Sequence, residues 1–337
     1  MTISEIAKLA GVSSATVSRY FNNGYLSKEK KAAIAKVVEE TGYRPSPQAQ
    51  TLRTHRSRMV GVILPRIESN SIARIVSGIA SVMNENGYRI ILANTENNTD
   101  NELAYLTIFD NKTVDGVILV ATVMTNQHRE MITGSTIPIV VVGQEVDDTD
   151  CVFHDDYHAA CGLTELMFQK GCQSPLYLGA FDEDRAVGHD RTKGFIDTAG
   201  KHGIEAPKDR VMIADFSVDS GCEVMGRLLE KYPDVDAVIA ATDTIAVGAM
   251  QCLQKEGIRI PEDVILAGIG DSQMARVTNP KLTSMQYYYE ESGSQSAHIL
   301  LREMEKSKEE REKSSSTKVL LGYQLIERES TAREKNA

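Results

Sequence analysis

Residues 2–21 read TISEIAKLAGVSSATVSRYF, and this stretch decides how the first part of the chain folds. Apolar residues recur there at helical spacing, which predicts a short helix with one apolar face: Ile3, Ile6, Ala7 and Ala10. Thr2 and Glu5 have the spacing of a capping box, in which a hydroxyl and a carboxylate satisfy the free backbone amides at a helix start. The stretch therefore predicts a helix that begins directly after Thr2.

A turn and a second helix follow. Gly11 supplies a turn that a bulkier residue would strain, and Val12 and Val17 can fill the angle between two helices. Ser13 or Ser14 can cap the second helix. That helix carries small or hydrogen-bonding side chains that suit close approach to bases and phosphates: Ser14, Ala15, Thr16, Ser18 and Arg19. An ordinary helical hairpin is the alternative, but the order of the parts favours a helix-turn-helix that binds DNA.

A third helix is predicted between Ser27 as N-cap and Gly42 as C-terminal stop. Its expected buried stripe consists of five apolar residues: Ala32, Ala33, Ile34, Val37 and Val38. Tyr43 is expected to close the core of the three helices. The predicted helix-turn-helix domain spans residues 1–45.

Residues 46–58 are predicted to be a hinge helix or linker. Ser46 and Pro47 resemble an N-cap and a first helical residue, but the run Gln48–Arg53 is too short to be helical alone. We predict a hinge that folds on contact with DNA, with a disordered linker as the alternative.

Charge is distributed unevenly along the chain. The formal net charge is −10, yet residues 1–58 carry ten Lys and Arg against four Glu. A basic head on an acidic body predicts a polyanion partner for the head alone.

Composition sets the broad class. Hydrophobic content of 42% and charged content of 25% over 337 residues are ordinary for a soluble globular protein with two or three domains. No apolar run reaches membrane-spanning length and no signal peptide precedes the first helix, so we expect a cytoplasmic protein. Five scattered cysteines predict neither a disulfide framework nor a zinc site.

From Met59 onward, short apolar runs alternate with amphipathic stretches, which is typical of doubly wound parallel sheets. The predicted strands are residues 59–64, 88–93, 114–121, 137–142, 176–180, 236–241 and 264–269. The main helices between them are residues 71–86, 155–169, 191–202 and 243–256. We predict an α/β core of two Rossmann-like lobes with a ligand cleft at the carboxyl ends of the strands.

The last part of the chain should return across both lobes. A helix is expected at residues 290–305, a solvated charge run at 306–316, and one strand at 318–327. The predicted N-lobe spans about 59–158 and 288–319, the C-lobe about 159–287 and 320–330, and residues 331–337 are expected to be a disordered tail.

Enzyme motifs are absent. The chain has no GxxxxGK[ST], GxSxG or HExxH, and Gly268 and Gly270 begin a GxGxxG that Gln273 breaks. His154 and His158 with intervening carboxylates could ligate a metal, but Asp155 or Asp156 is equally suited to cap a helix. We expect no enzymatic activity, no cofactor and no metal.

Polar and charged side chains follow the predicted strands where the lobes face each other. They are Arg66, Ser69, Gln144, Glu145, Asp184, Arg191, Thr242, Asp243 and Asp271. Carboxylates and guanidinium groups that converge on one cleft suit a polyhydroxyl ligand, because each hydroxyl both donates and accepts hydrogen bonds.

The segments IAKLAGVSSATVSRYFN (6–22) and LSKEKKAAIAKVVEETGYRPS (26–46) resemble the lactose/galactose-repressor family of bacterial transcription regulators. The resemblance continues to about residue 330. It implies a DNA-binding head, a periplasmic-binding-protein-like core and a homodimer. It also implies DNA contacts from Thr2, Ser14, Ala15, Thr16, Ser18, Arg19, Asn22, Ser46, Gln48, Leu52 and Arg53, with Leu52 wedged into the minor groove.

Further segments resemble repressors of sucrose and trehalose operons: PRIES (65–69), HDDYHAA (154–160), ATDTIAVGA (241–249) and YEESG (289–293). This resemblance implies sucrose-6-phosphate or trehalose-6-phosphate as effector, with Arg66 on its phosphate and Arg191 and Asp243 on its hydroxyls. The alternatives are a global regulator that uses a phosphoprotein co-repressor, a sugar-binding protein that does not bind DNA, and a sugar-metabolising enzyme with an accessory head.

Overall fold

The computed structural model describes residues 1–21, 24–43, 56–111 and 113–333. The chain divides into two compact units, Met1–Arg58 and Met59–Ala337. Each unit has its own hydrophobic core.

The N-terminal unit contains three helices, α1 (Ile3–Leu9), α2 (Ser14–Phe21) and α3 (Lys28–Thr41). The capping box of Thr2 and Glu5 is present in both directions. Gly11 and Gly42 have φ angles of 65° and 62°, the left-handed conformation that glycine adopts without strain. The buried core consists of Ile6, Ala7, Val17, Ile34 and Tyr43, so the sequence prediction for α1 and Tyr43 is confirmed.

The predicted stripe on α3 is partly wrong. Ile34 is buried and Val37 and Val38 pack against the core, but Ala32 is exposed. Residues advance by about 100° each around a helix, so Ala32 lies about 200° from Ile34 and faces away from the core.

The N-lobe is built on a six-stranded, all-parallel sheet with strand order β11-β5-β4-β3-β1-β2. The strands are β1 (Met59–Leu64), β2 (Arg89–Asn94), β3 (Gly116–Val120), β4 (Ile139–Val142), β5 (Cys151–His154) and β11 (Lys318–Leu321). Its helices are α4 (Asn70–Glu85), α5 (Thr99–Asp110), α6 (Asn126–Gly134) and α12 (Tyr289–Glu305).

Two glycines let α4 and α12 approach closely. A Cβ added at Gly78 would lie 2.0 Å from the carbonyl oxygen of Glu290, and one added at Gly293 would lie 2.0 Å from that of Ile75. Neither position admits a larger residue without separating the helices. This contact holds the late helix α12 on the N-lobe.

The C-lobe has a second six-stranded sheet, in the order β12-β10-β9-β8-β6-β7. The strands are β6 (Pro175–Gly179), β7 (Val211–Ile213), β8 (Ala237–Ala240), β9 (Ile265–Ile269), β10 (Thr283–Tyr287) and β12 (Tyr323–Ile326), and only β12 is antiparallel to its neighbour. The helices are α7 (Asp156–Gln169), α8 (Arg191–Lys201), α9 (Val218–Lys231), α10 (Asp243–Lys255) and the short α11 (Gln273–Val277).

The prediction of one strand at 318–327 is wrong. Gly322 separates β11, which pairs with β5 of the N-lobe, from β12, which pairs with β10 of the C-lobe. A continuous apolar run does not show that a chain changes sheets, because the partly buried side chains that pack on the two cores, Val319 and Leu321 on one and Tyr323 and Leu325 on the other, are of similar type. The sequence also does not predict three of the strands, β5, β7 and β10. Each is either short or contains polar residues among its apolar ones.

The chain end is packed further than predicted. Residues Glu329–Thr331 form a 3₁₀ turn, Thr331 is buried against Thr283, and Arg333 donates to the carbonyl of Glu262. The expected disordered tail is therefore wrong for residues 331–333, while residues 334–337 lie outside the described part of the chain.

The charge run at 306–316 contains a short helix, α13 (Lys308–Lys313), with a capping box between Ser307 and Glu310. Arg311 donates to the carbonyl of Thr136 at 2.7 Å, so this mostly exposed run is fastened to the N-lobe. No helix in the described part of the chain is long and apolar enough to cross a membrane.

Candidate functional sites

The second helix of the N-terminal unit presents a small polar surface. Ser14, Ala15 and Arg19 are exposed, whereas Thr16 is 9% exposed. Ser13 is the cap of α2, because its Oγ accepts from the Thr16 amide at 3.3 Å and lies 2.8 Å from the Thr16 hydroxyl. The hydroxyl of Thr16 is thus engaged inside the unit, and Ser14, Ala15 and Arg19 remain the accessible predicted contacts on this helix.

Other predicted DNA contacts fall elsewhere. Ser18 is half-buried on α2, and Thr2 is exposed at the capped start of α1. The hinge prediction and the remaining contacts lie outside the described residues: Asn22, Ser46, Gln48, Leu52 and Arg53.

A cavity of about 170 Å³ lies between the two lobes of the C-terminal unit, at the carboxyl ends of their strands. Parallel strands that end at one edge bring the following loops together, which is why sites form there. The structure brings most of the predicted effector residues to this cavity: Arg66, Ser69, Gln144, Asp184, Arg191, Thr242 and Asp243.

Two predicted residues do not line the cavity. Glu145 follows Gln144 directly but turns outward and pairs with Lys318 at 3.1 Å. Asp271 has a φ of 45° and its carboxylate accepts from Arg276 and Arg328. Burial alone raises the pKa of Asp271, but the hydrogen bonds from these two arginines outweigh it and lower that pKa.

A buried ion pair forms one wall. Arg191, 4% exposed, donates from Nε to Asp156 at 2.6 Å and from Nη1 to the carbonyl of Ala241 at 2.5 Å. Tyr287 donates its hydroxyl to the same Asp156 oxygen at 2.9 Å. Burial alone would lower the pKa of Arg191, but the Asp156 carboxylate raises it well above its ordinary value. The guanidinium is therefore a fixed positive charge.

Asp243 opens helix α10 beside this pair and is almost fully buried. Its carboxylate accepts from the Ser272 amide and from the Ser284 hydroxyl, each at 2.6 Å. Burial raises the pKa of Asp243 despite these hydrogen bonds. Thr242 precedes it as the N-cap of α10, with its hydroxyl accepting from the Ile245 amide at 3.3 Å.

Two contacts cross the cavity between the lobes. The Arg66 guanidinium lies 4.5 Å from the centre of the Phe216 ring and donates to the Phe216 carbonyl at 3.3 Å. Gln144 donates from Nε2 to Asp184 at 3.0 Å. These contacts join the N-lobe loops after β1 and β4 to the C-lobe loops after β7 and β6.

Both cross-cavity contacts involve partly desolvated charges. Burial lowers the pKa of Arg66, which still lies far above neutrality. Asp184 is 2% exposed and caps a π-helical turn, Arg185–Asp190, by accepting from the Val187 amide at 3.1 Å. Burial raises the pKa of Asp184 to about 6.

Sequence reasoning missed several lining residues, among them His154, Asp156, Phe216 and Tyr289. By its residue types, the segment around His154 predicts a metal site or a helix cap and not a cavity wall. Asp155 is the cap, accepting from the His158 amide at 3.2 Å. Within residues 1–21, 24–43, 56–111 and 113–333, no group of three His, Cys, Asp or Glu could hold a metal ion. The missed signal is that β5 also ends at the cavity, which places His154 and Asp156 there.

Two family models match the chain. Residues 2–46 match the bacterial regulatory proteins of the lacI family, and residues 57–328 match the periplasmic binding proteins and sugar binding domain of the LacI family. The chain is 32% identical over 292 residues to the sucrose operon repressor of Staphylococcus xylosus, covering 87% of this chain and 90% of that relative.

Solved structures agree with the fold. The cellobiose complex of the transcriptional regulator CelR has a TM-score of 0.74 and 26% identity, over 98% of this chain and 99% of that one. The lac repressor dimer bound to operator and an anti-inducer has a TM-score of 0.87 and 21% identity, over 99% of both chains.

Proposed function

Since the chain belongs to the LacI family of bacterial transcription regulators, we propose that it is a repressor of a sugar-utilisation operon whose operator affinity is changed by a phosphorylated disaccharide. The N-terminal unit binds operator DNA through α2, and the cavity between the lobes binds the effector. The single observation that carries the proposal is the cavity itself, where guanidinium groups, carboxylates and amides from both lobes converge.

The charge arrangement supports a phosphorylated polyol. Arg66 is held against Phe216 by one hydrogen bond and ring stacking, which leaves further N–H groups of its guanidinium to bind paired phosphate oxygens. Asp156, Asp184 and Asp243 supply acceptors for hydroxyls on the remaining wall. The Staphylococcus xylosus relative is named for a sucrose operon, so sucrose-6-phosphate is the first candidate and trehalose-6-phosphate the second.

The size of the cavity supports a switch by lobe closure. Pockets for drug-sized ligands measure roughly 300–1,000 Å³, and this cavity measures about 170 Å³. The lobes therefore separate to admit a disaccharide. Gln144–Asp184 and Arg66–Phe216 open as the ligand enters, and the Arg66–Phe216 contact forms again when the lobes close on the bound ligand. A ligand that bridges both lobes shifts the balance between open and closed forms, and by linkage its affinity is coupled to operator affinity.

The test uses the full-length protein and a duplex that it selects from a random library. Fluorescence anisotropy at fixed salt measures duplex affinity with and without sucrose, trehalose and their 6-phosphates. We expect one phosphorylated sugar to change operator affinity by about 1–3 kcal/mol, and the neutral sugar to act only at higher concentration. No change with any of the four sugars would refute the proposed effector.

Arg66→Ala tests the phosphate contact by calorimetry. We expect it to weaken binding of the phosphorylated sugar by about 1.5–3 kcal/mol, the range for hydrogen bonds to charged groups, and to leave the neutral sugar nearly unaffected. Arg129→Ala, which removes an exposed arginine of the same lobe, is the matched control. Equal losses for both variants would show that Arg66 does not contact the phosphate.

A further inference from the structure

His154 ends strand β5, lines the cavity between the lobes and takes part in neither the Arg191–Asp156 pair nor the two contacts across the cavity. It is 8% exposed, and its ring stacks on Tyr287 with the ring centres 4.7 Å apart and the planes 10° from parallel. Tyr289 contacts the same ring edge-on at 5.4 Å. The imidazole is therefore held in one orientation by two aromatic rings.

The Nε2 atom of this ring is a buried polar atom without a hydrogen-bond partner in the described part of the protein. The ring is also hydrogen-bonded to the backbone of Tyr288, and this bond raises its pKa, as a carbonyl acceptor does. Because Nε2 has no partner, we assign the contact with Tyr288, and with it the ring proton, to Nδ1. Burial nevertheless lowers the pKa of His154 to about 4, so the ring is neutral at pH 7.

A neutral imidazole with its proton on Nδ1 offers only a lone pair at Nε2. Such an atom accepts a hydrogen bond from a hydroxyl, but a phosphate dianion has no proton to give it. Asp156, two residues further along the chain, also lines the cavity and adds a carboxylate there. Since Arg191 balances the Asp156 charge, it is the Nε2 lone pair that favours a hydroxyl and disfavours an anionic oxygen beside the ring.

We propose that His154 Nε2 accepts a hydrogen bond from a hydroxyl of the effector, so that the polyol end of the ligand lies at His154 and its anionic end lies at Arg66. The proposal rests on the proposed function, since it assigns the orientation of a sugar phosphate in the same cavity. Leaving a buried acceptor unpaired is costly, so His154 selects ligands that carry a hydroxyl at the matching ring position.

The first test reads the tautomer directly. Two-dimensional ¹⁵N–¹H correlation spectra of the full-length protein with ¹⁵N-labelled histidine, assigned with His154→Phe, report which ring nitrogen is protonated. We expect the Nδ1–H form at pH 7, with the Nε2 resonance shifting when sucrose-6-phosphate or trehalose-6-phosphate is added. A proton on Nε2 in the free protein would overturn the proposal whatever sugar binds.

The second test measures the hydroxyl contact by calorimetry. His154→Phe keeps the aromatic stack on Tyr287 but removes the acceptor, and His154→Gln restores a carbonyl acceptor. We expect His154→Phe to weaken binding of the sugar phosphate by roughly 5- to 150-fold. His154→Gln should recover part of that lost affinity. His158→Gln alters an exposed histidine four residues away and is the control. If His154→Phe binds as wild type does, the proposal fails.

Deoxy analogues of the same sugar phosphate complete a double-mutant cycle. One analogue should lose affinity for the wild type while losing almost none for His154→Phe, because that hydroxyl no longer has its acceptor. Equal losses for both proteins with every analogue would overturn the hydroxyl contact.

The two proposals can fail separately. If neutral and phosphorylated sugars bind equally and His154→Phe weakens both, the hydroxyl contact stands and the phosphate assignment to Arg66 falls. If Arg66→Ala removes the preference for phosphate but His154→Phe has no effect, the reverse holds. If the wild type binds none of the four sugars, both fall.

Discussion

Asp184 offers the sharpest test of the cavity described above. Its carboxylate is 2% exposed and accepts from Gln144 of the opposite lobe and from the Val187 amide. The variant Asp184→Asn keeps an acceptor oxygen for both donors but removes the buried negative charge. We therefore expect the variant to fold as the wild type does and to differ from it in the pH dependence of stability.

The magnitude follows from the pKa. Burial raises the pKa of Asp184 from 3.8 to about 6, so between these values the folded protein binds more protons than the unfolded chain. The free energy of unfolding contributed by this group therefore falls as pH rises through that window and is constant above it. The difference in pKa corresponds to roughly 3 kcal/mol, and residual structure in the unfolded chain lowers the observed value to about 1–3 kcal/mol.

The assay is denaturant unfolding of the full-length protein at a series of pH values from 4 to 8. The stability of Asp184→Asn minus that of the wild type should increase from pH 4 to pH 7 by about 1–3 kcal/mol and then level off, while other titrating groups cancel in the difference. Glu183→Gln removes an exposed charge from the same loop and should show no such rise. A difference that is constant with pH, or that grows as pH falls, would refute the reasoning.

Three further predictions concern the two units. The fragment 59–337 should remain folded and bind the sugar phosphate by calorimetry while losing operator binding; aggregation of the fragment would contradict the division into units. Ile34→Ala removes a fully buried side chain from the small core of the N-terminal unit and should lower the stability of that unit by about 2–5 kcal/mol. Thermal unfolding followed by circular dichroism measures this loss, and the melting of residues 59–337 is the reference that should not change. Arg19→Ala should weaken operator binding and reduce its salt dependence in anisotropy titrations, because the exposed guanidinium lies on α2; an unchanged salt slope would exclude a phosphate contact.

Local sequence patterns determined the N-terminal unit. The capping box at Thr2, the glycines at 11 and 42 and the helical spacing of Ile6 and Ile34 depend on residues close together in the chain, so they can be found without the fold. The predicted burial of Ala32 is wrong for a local reason too, because Ala32 lies about 200° from Ile34 around α3 and so faces away from the core.

The alternation of apolar runs and helices also determined the two α/β lobes, and the rule that ligands bind at strand carboxyl ends placed seven effector candidates at the cavity. The same rule also predicts Glu145 and Asp271 as effector residues, which is wrong for the cavity lining. Glu145 pairs with Lys318 instead, and Asp271 pairs with Arg276 and Arg328. Whether a side chain after a strand faces the cleft depends on the local φ angle and on partners distant in sequence, and neither is encoded in a short pattern.

The sequence by itself therefore determined the capped helices, the basic head, the alternating core and the segments that border the cleft, because each is set by neighbouring residues. Only the tertiary structure decided three features: the chain crosses from one sheet to the other at Gly322, Gln144 donates to Asp184 across the cavity, and His154 lines the cavity. These features arise where segments far apart in the chain pack together, and the packing of both lobes fixes which polar atoms are paired and which are left for a ligand.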